Sequence, residues 1–258
     1  MISLNGRICT ASAFDWLGDS GFRYGFGCFE TMYFNGRIRF FNDHIARLNA
    51  SLNTLGMTCP YDPPTIHTFI TDLATAIGGE PRPQVCRLYV TGGAMGLTPG
   101  TTATATVIIA FAPLPDSPIH KGVHTMLVTP HDFYRFKYMA YAHHIQALQS
   151  APTWPIYVDD THRIIDSPLF SIGVIQNDRM VFATHPYQLP SVSKTALLTH
   201  LDSEWVCQQP LYADALTQAT TIVGCNALKG VVVLDGQPLS KPISTAVGAL
   251  FNAMNGSQ

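Results

Sequence analysis

Apolar and polar positions along the first third of the chain follow two periods. Runs rich in β-branched and aromatic residues are broken by Asn-Gly pairs, and they give way to apolar residues spaced three and four apart. Residues 2–8 predict a short hairpin closed by Asn5-Gly6. Residues 29–34 and 37–41 predict a second hairpin, closed by Asn35-Gly36. Ile45, Leu48, Leu52 and Leu55 then share a helical face, with Asn42 or Asp43 as cap and Gly56 as stop. Residues 64–77 predict another helix, opened by proline and ended by Gly78-Gly79. Strand-like runs follow at 85–91 and 103–112, separated by a glycine-rich loop at 92–100.

Three prolines within residues 113–118 mark a linker. Beyond it, residues 123–129 predict a strand and 137–149 a helix, followed by short strands at 155–158, 171–176 and 180–183. Asn177-Asp178 turns between the last two, and Ser191 or Ser193 starts a helix running toward Leu201. The expected class is α+β: an N-terminal α/β lobe over 1–112, a proline-rich linker over 113–120 and a C-terminal α/β lobe over 121–258.

Composition narrows the setting. Among 258 residues, 47% are hydrophobic and 12% charged, so the chain should bury much of its length and cover some surface in a subunit interface. A net charge of -2 without any Lys/Arg run argues against a nucleic-acid surface. No basic, apolar leader and no long apolar run is present, which predicts a soluble, unexported protein with no membrane partner. The six cysteines form no C-x-x-C pair, so they read as buried, reduced thiols rather than as metal ligands.

Of five lysines, Lys121, Lys194, Lys229 and Lys241 lie near turns, linkers or helix starts. Lys137 is set among Phe136, Tyr138, Met139 and Tyr141. An amine must lose its proton to attack a carbonyl, and apolar surroundings favour the neutral form. The alternative is a lysine whose stem covers aromatic surface while its head stays in water. His143-His144 cannot share a helical face, so surface or capping roles are expected rather than metal binding. Gly25-Phe26-Gly27 reads as a tight turn, since no helix follows a strand there with dinucleotide spacing.

Several segments in order resemble class IV aminotransferases, the fold-type IV enzymes that use pyridoxal 5'-phosphate. Gly25-Phe26-Gly27-Cys28-Phe29-Glu30-Thr31 and His44-Ile45-Ala46-Arg47-Leu48 resemble that family's G-x-G-x-F-E-T and H-x-x-R-L segments. Phe136-Lys137-Tyr138 resembles the segment of its Schiff-base lysine, and Val158 through Asp166 the strand, turn and acidic residue under the pyridine ring. Val192-Ser193-Lys194 resembles the Gly-Ile-Thr-Arg helix start, and Cys225-Asn226-Ala227-Leu228-Lys229-Gly230-Val231 a segment of aminodeoxychorismate lyases.

The resemblance implies that Lys137 binds the cofactor and moves the substrate's α-proton, and that Asp166 pairs with the ring nitrogen. It implies that Arg47, the amides of Val192 and Ser193, and Asn226 hold the phosphate. It also implies a cytoplasmic homodimer acting on a small molecule, with active sites between two lobes. The implied reaction is cleavage of 4-amino-4-deoxychorismate to 4-aminobenzoate and pyruvate in folate biosynthesis. The alternatives are an aminotransferase for branched-chain or D-amino acids and a non-catalytic relative. Against the D-amino acid enzymes, Leu97-Thr98-Pro99-Gly100 lacks their Arg-x-His carboxylate trap. Asp166 stands where the family commonly has Glu, Ser171 where it has Asn, Phe26 where it has Asp and Lys194 where it has Arg.

Overall fold

The structure, a computed structural model, describes residues 1–78, 82–94, 104–115 and 122–256. Residues 95–100 of the expected glycine-rich loop, Gly79, Lys121 and most of the expected linker lie outside them. By its internal contacts the chain divides into two compact units, Met1–Pro115 with Lys137–Tyr141, and Asp116–Phe136 with Ala142–Gln258. This differs from the expected division in one respect that matters for chemistry. Lys137 was expected in the C-terminal lobe, yet its segment packs within the first unit.

The first unit holds β1 (Ile2–Leu4), β2 (Arg7–Cys9), α1 (Ser20–Tyr24), β3 (Gly27–Phe34), α2 (Phe41–Thr54), α3 (Pro63–Ile77), β4 (Gln84–Thr91) and β5 (Thr106–Pro113). Its sheet runs β2-β1-β5-β4-β3 with antiparallel pairs throughout. Asn5 and Gly6 close the first hairpin at φ 50° and 84°, the left-handed conformations that a two-residue turn requires. The second expected hairpin is not completed. After Asn35-Gly36 only one bridge forms, Phe34 to Ile38, before Phe40 turns at φ 58° into α2. The helix therefore begins at Phe41, ahead of the expected caps Asn42 and Asp43. The face of α2 carrying Ile45, Leu48 and Leu52 is buried, as is the Ile66, Ile70 and Leu73 face of α3. Asp62 caps α3 by accepting from the Thr65 amide.

The segment 137–141 was expected to open a helix, but the helix α4 (Ala142–Gln149) begins only after it. Instead the segment extends the free edge of β3. The Phe29 amide donates to the Lys137 carbonyl at 3.0 Å, and the Met139 amide to the Gly27 carbonyl at 2.9 Å. Unpaired amides and carbonyls on a sheet edge are costly to bury, and this need outweighs local helix preference.

The second unit continues with β6 (Val123–Leu127), α4, β7 (Trp154–Val158), β8 (Ile164–Asp166), β9 (Ser171–Gln176), β10 (Arg179–Ala183), α5 (Val192–His200), β11 (Val206–Gln209), α6 (Ala213–Gln218), β12 (Thr221–Asn226), β13 (Gly230–Gly236) and α7 (Lys241–Gly256). One sheet runs β11-β10-β9-β12-β13 and a smaller one β6-β7-β8. Trp154, Ile156, Ile164, Phe170, Ile172 and Val174 belong to its core. Asn177 and Asp178 both take positive φ, which closes the expected turn between β9 and β10. No helix among the described residues is long and apolar enough to cross a membrane.

Candidate active site

In the first unit the chemistry gathers where β3 and α2 face each other. Glu30 points inward from β3 and is fully buried. His44 and Arg47, three residues apart on α2, share the helix face that meets it. Arg47 donates from Nε to Glu30 Oε1 at 2.8 Å and from Nη2 to Oε2 at 2.6 Å, while His44 Nδ1 lies 2.7 Å from Oε2. Burial acts to raise the Glu30 carboxyl, but Arg47 and then His44 outweigh it and hold the group well below the usual carboxylate range. Burial pushes His44 down, against the pull of Glu30 and with help from the positive charges of Arg47 and Lys137. His44 is therefore neutral at pH 7. Its Nδ1 carries the proton toward Glu30, and its buried Nε2 has no hydrogen-bond partner, as suits a nitrogen without a proton.

Lys137 is tied to the same helix. Its amide donates to Ser51 Oγ at 3.3 Å, and Ser51 Oγ donates to the Arg47 carbonyl at 3.0 Å. Tyr138 is tied to the same helix through its hydroxyl, which meets Thr54 Oγ1 at 2.5 Å and locks the segment to the end of α2. The rings near Lys137 Nζ are Phe29, with its centroid at 4.6 Å, and Tyr141, at 5.6 Å. Phe29 and Tyr141 meet edge to face at 5.4 Å. The amine thus stands half-buried against aromatic faces, which hold a cation or an unsaturated ring by the same quadrupole.

Gly25 and Gly27 serve this placement through close packing. Gly25 ends α1 at φ 67°, and a side chain there would meet the Ala140 backbone at 3.0 Å. A Cβ on Gly27 would lie 2.6 Å from the Val90 carbonyl oxygen and 2.9 Å from Met139 Sδ.

In the second unit Asp166 ends β8 and is buried. Ser191 caps α5 by accepting from the Lys194 amide at 3.2 Å, leaving the Val192 and Ser193 amides at the open start of the helix. Lys194, expected at an ordinary helix start, is instead 6% exposed and more buried than Lys137. Its Nζ donates to the Ala183 carbonyl at 3.2 Å and to Gln188 Oε1 at 2.5 Å. Burial lowers its pKa, and the Asp166 carboxylate opposes that shift. Burial also pushes the Cys225 thiol up to about 12, against Lys194 and the Ser193 hydroxyl.

Asn226, expected as a phosphate ligand, closes the turn from β12 to β13. Its Oδ1 accepts from the Leu228 and Lys229 amides at 3.1 and 2.9 Å, and its Nδ2 donates to the Leu169 carbonyl at 3.2 Å. His144, expected at the surface, is buried with Nδ1 2.9 Å from the Tyr157 hydroxyl. All six thiols are free, but only Cys28, Cys86 and Cys225 are buried, the other three being half-buried.

Sequence reasoning singled out Arg47 and Lys137 but gave Glu30, His44 and Ser51 no role. The spacing of His44 and Arg47 on one helix face, opposite an acidic residue in an apolar strand, was the available signal.

A sequence model described as amino-transferase class IV matches residues 27–234. No curated protein matches the chain by sequence. Among solved structures, the 4-amino-4-deoxychorismate lyase of Pseudomonas aeruginosa superposes with a TM-score of 0.78 at 18% identity, covering 99% of this chain and 100% of that one. A hypothetical aminotransferase from Mycobacterium tuberculosis in its PLP-bound form gives 0.80 at 19% identity, over 98% of each chain. The branched-chain aminotransferase of Thermoproteus uzoniensis with norvaline gives 0.84 at 16% identity, over 99% of this chain and 94% of that one. At these identities the likeness shows the fold.

Proposed function

The chain belongs to the class IV aminotransferases, and from that premise we propose that it is a pyridoxal phosphate enzyme cleaving 4-amino-4-deoxychorismate to 4-aminobenzoate and pyruvate. The residues fit the cofactor. Lys137 offers an amine among aromatic rings, Asp166 a buried carboxylate, and Arg47 with the α5 start offers a cation and N–H donors. Lys137 Nζ would hold the aldehyde carbon, and Asp166 would accept a hydrogen bond from the protonated ring nitrogen. Arg47 and the Val192 and Ser193 amides would hold the phosphate. Asn226 would join them only from the turn that already uses its side chain. Bound pyridoxal phosphate supplies an electron sink for charge left at a substrate carbon. Lys137 Nζ would take the proton from that carbon and return one later.

The lyase reading rests on the Cys225–Val231 segment, which resembles aminodeoxychorismate lyases and folds as a turn organised by Asn226. Loss of pyruvate then leaves an aromatic ring, and no second amino acceptor is needed. The family assignment itself favours a second reading, an aminotransferase. The free thiols fit a reducing compartment such as the cytoplasm.

Incubation with 4-amino-4-deoxychorismate and pyridoxal phosphate tests the choice. Formation of 4-aminobenzoate with equimolar pyruvate supports the lyase. Stoichiometric release of a 2-oxo acid from an amino acid alone, without 4-aminobenzoate from the first substrate, supports the aminotransferase.

A further inference from the structure

The Glu30 carboxylate has no part in the chemistry assigned above, yet among the described residues it is the most completely buried charge in the first unit. Charged groups are kept in such places only when their partners compensate the lost hydration, and here both oxygens are taken up by Arg47 and His44. We propose that Glu30, braced by His44, is a positioning residue that fixes the plane of the Arg47 guanidinium for a phosphate monoester. This deepens the cofactor reading and rests on it.

Three observations carry the assignment. The pair is bidentate through Nε and Nη2, a geometry that stops rotation about the last torsions of the arginine side chain. Glu30 sits on β3, whose Gly27 and Phe29 backbones anchor the Lys137 segment, so one strand sets both the amine and the guanidinium. Ser51 adds a second link between them, through the Arg47 carbonyl and the Lys137 amide. A carboxylate beside Arg47 also repels an incoming phosphate, so the proposal requires that orientation outweighs repulsion. The two effects predict opposite signs for Glu30→Gln.

Two readouts apply. In the protein without cofactor, the ¹⁵N–¹H resonance of Arg47 Nε should show slow guanidinium rotation, and Glu30→Gln should speed that rotation by about tenfold or more, the loss of one charge-assisted bond. In absorbance titrations, the preference for pyridoxal phosphate over unphosphorylated pyridoxal should fall by about tenfold in Glu30→Gln. His44→Leu keeps the ion pair and serves if Glu30→Gln does not fold; its preference should fall by about threefold. An unchanged or increased preference with an unmoved Nε resonance overturns the role of Glu30 while leaving the cofactor reading intact. A wild type that binds both aldehydes equally removes the phosphate role of Arg47, and the purpose assigned to Glu30 goes with it.

Discussion

Glu30 and His44 make the stability of the first unit depend on pH in one direction. The folded carboxyl of Glu30 lies well below the value of about 4.3 it regains on unfolding, so its contribution is complete above that value and is lost as pH falls toward the folded pKa. His44 adds to this. Burial lowers its pKa from 6.5, so the unfolded chain takes up a proton that the folded chain refuses, and stability declines as pH drops through that value. The expected result is a Tm that is flat above about pH 7, falls gently below about 6.5 and falls steeply below about 4.5. His44→Leu should flatten the gentle part, as read by scanning calorimetry from pH 8 to 4. A wild-type Tm that does not move between pH 7 and 5 would exclude a buried neutral His44. At this scale Arg47 and Lys137 were singled out in sequence because their types and spacing resemble those of a family. Burial was not legible. Lys194 looked like an ordinary helix-start lysine until the Gln188 and Ala183 acceptors enclosed it.

Several elements written in local patterns were read correctly, though the hairpin expected at Asn35-Gly36 was not, and the segment 137–141, decided by a distant partner, was misread. The faces of α2 and α3 follow from apolar spacing, and the turns at Asn5-Gly6 and Asn177-Asp178 from residues that tolerate positive φ. The stretch 137–141 carries helix-compatible residues, but the open edge of β3, 108 or more positions earlier in sequence, holds it extended through a single bridge, Cys28 to Tyr138, and two flanking backbone hydrogen bonds. Gly27 permits that approach, since β4 and Met139 leave no room for a side chain. Gly27→Ala should therefore cost about 1–3 kcal/mol in urea unfolding. Gly248→Ala, in α7 with nothing within 4 Å of the added Cβ, should stabilise by up to about 1 kcal/mol. Equal effects of the two substitutions would contradict the packing described for β3.

At the scale of the molecule, the low charge fraction pointed to covered surface, and the first unit carries exposed Trp16, Leu17, Phe22 and Tyr24 within nine residues of one another. Phe14, Trp16 and Phe22 form a chain of ring contacts among them. A contiguous apolar patch of this kind is normally covered by a partner. A homodimer at micromolar concentration is expected by sedimentation, with Leu17→Asp combined with Phe22→Asp shifting it to monomer; a wild-type monomer would exclude the idea. The proline-rich stretch suggested where the chain divides, whereas no local residue announces the packing of 137–141 within the first unit. The central claim is that Lys137, in that segment, is the amine that takes the cofactor. Treating the protein with pyridoxal phosphate, reducing it with borohydride and mapping the peptides by mass spectrometry tests this directly. The label should sit on Lys137 and vanish in Lys137→Ala; a label on Lys194, or none at all, would contradict it.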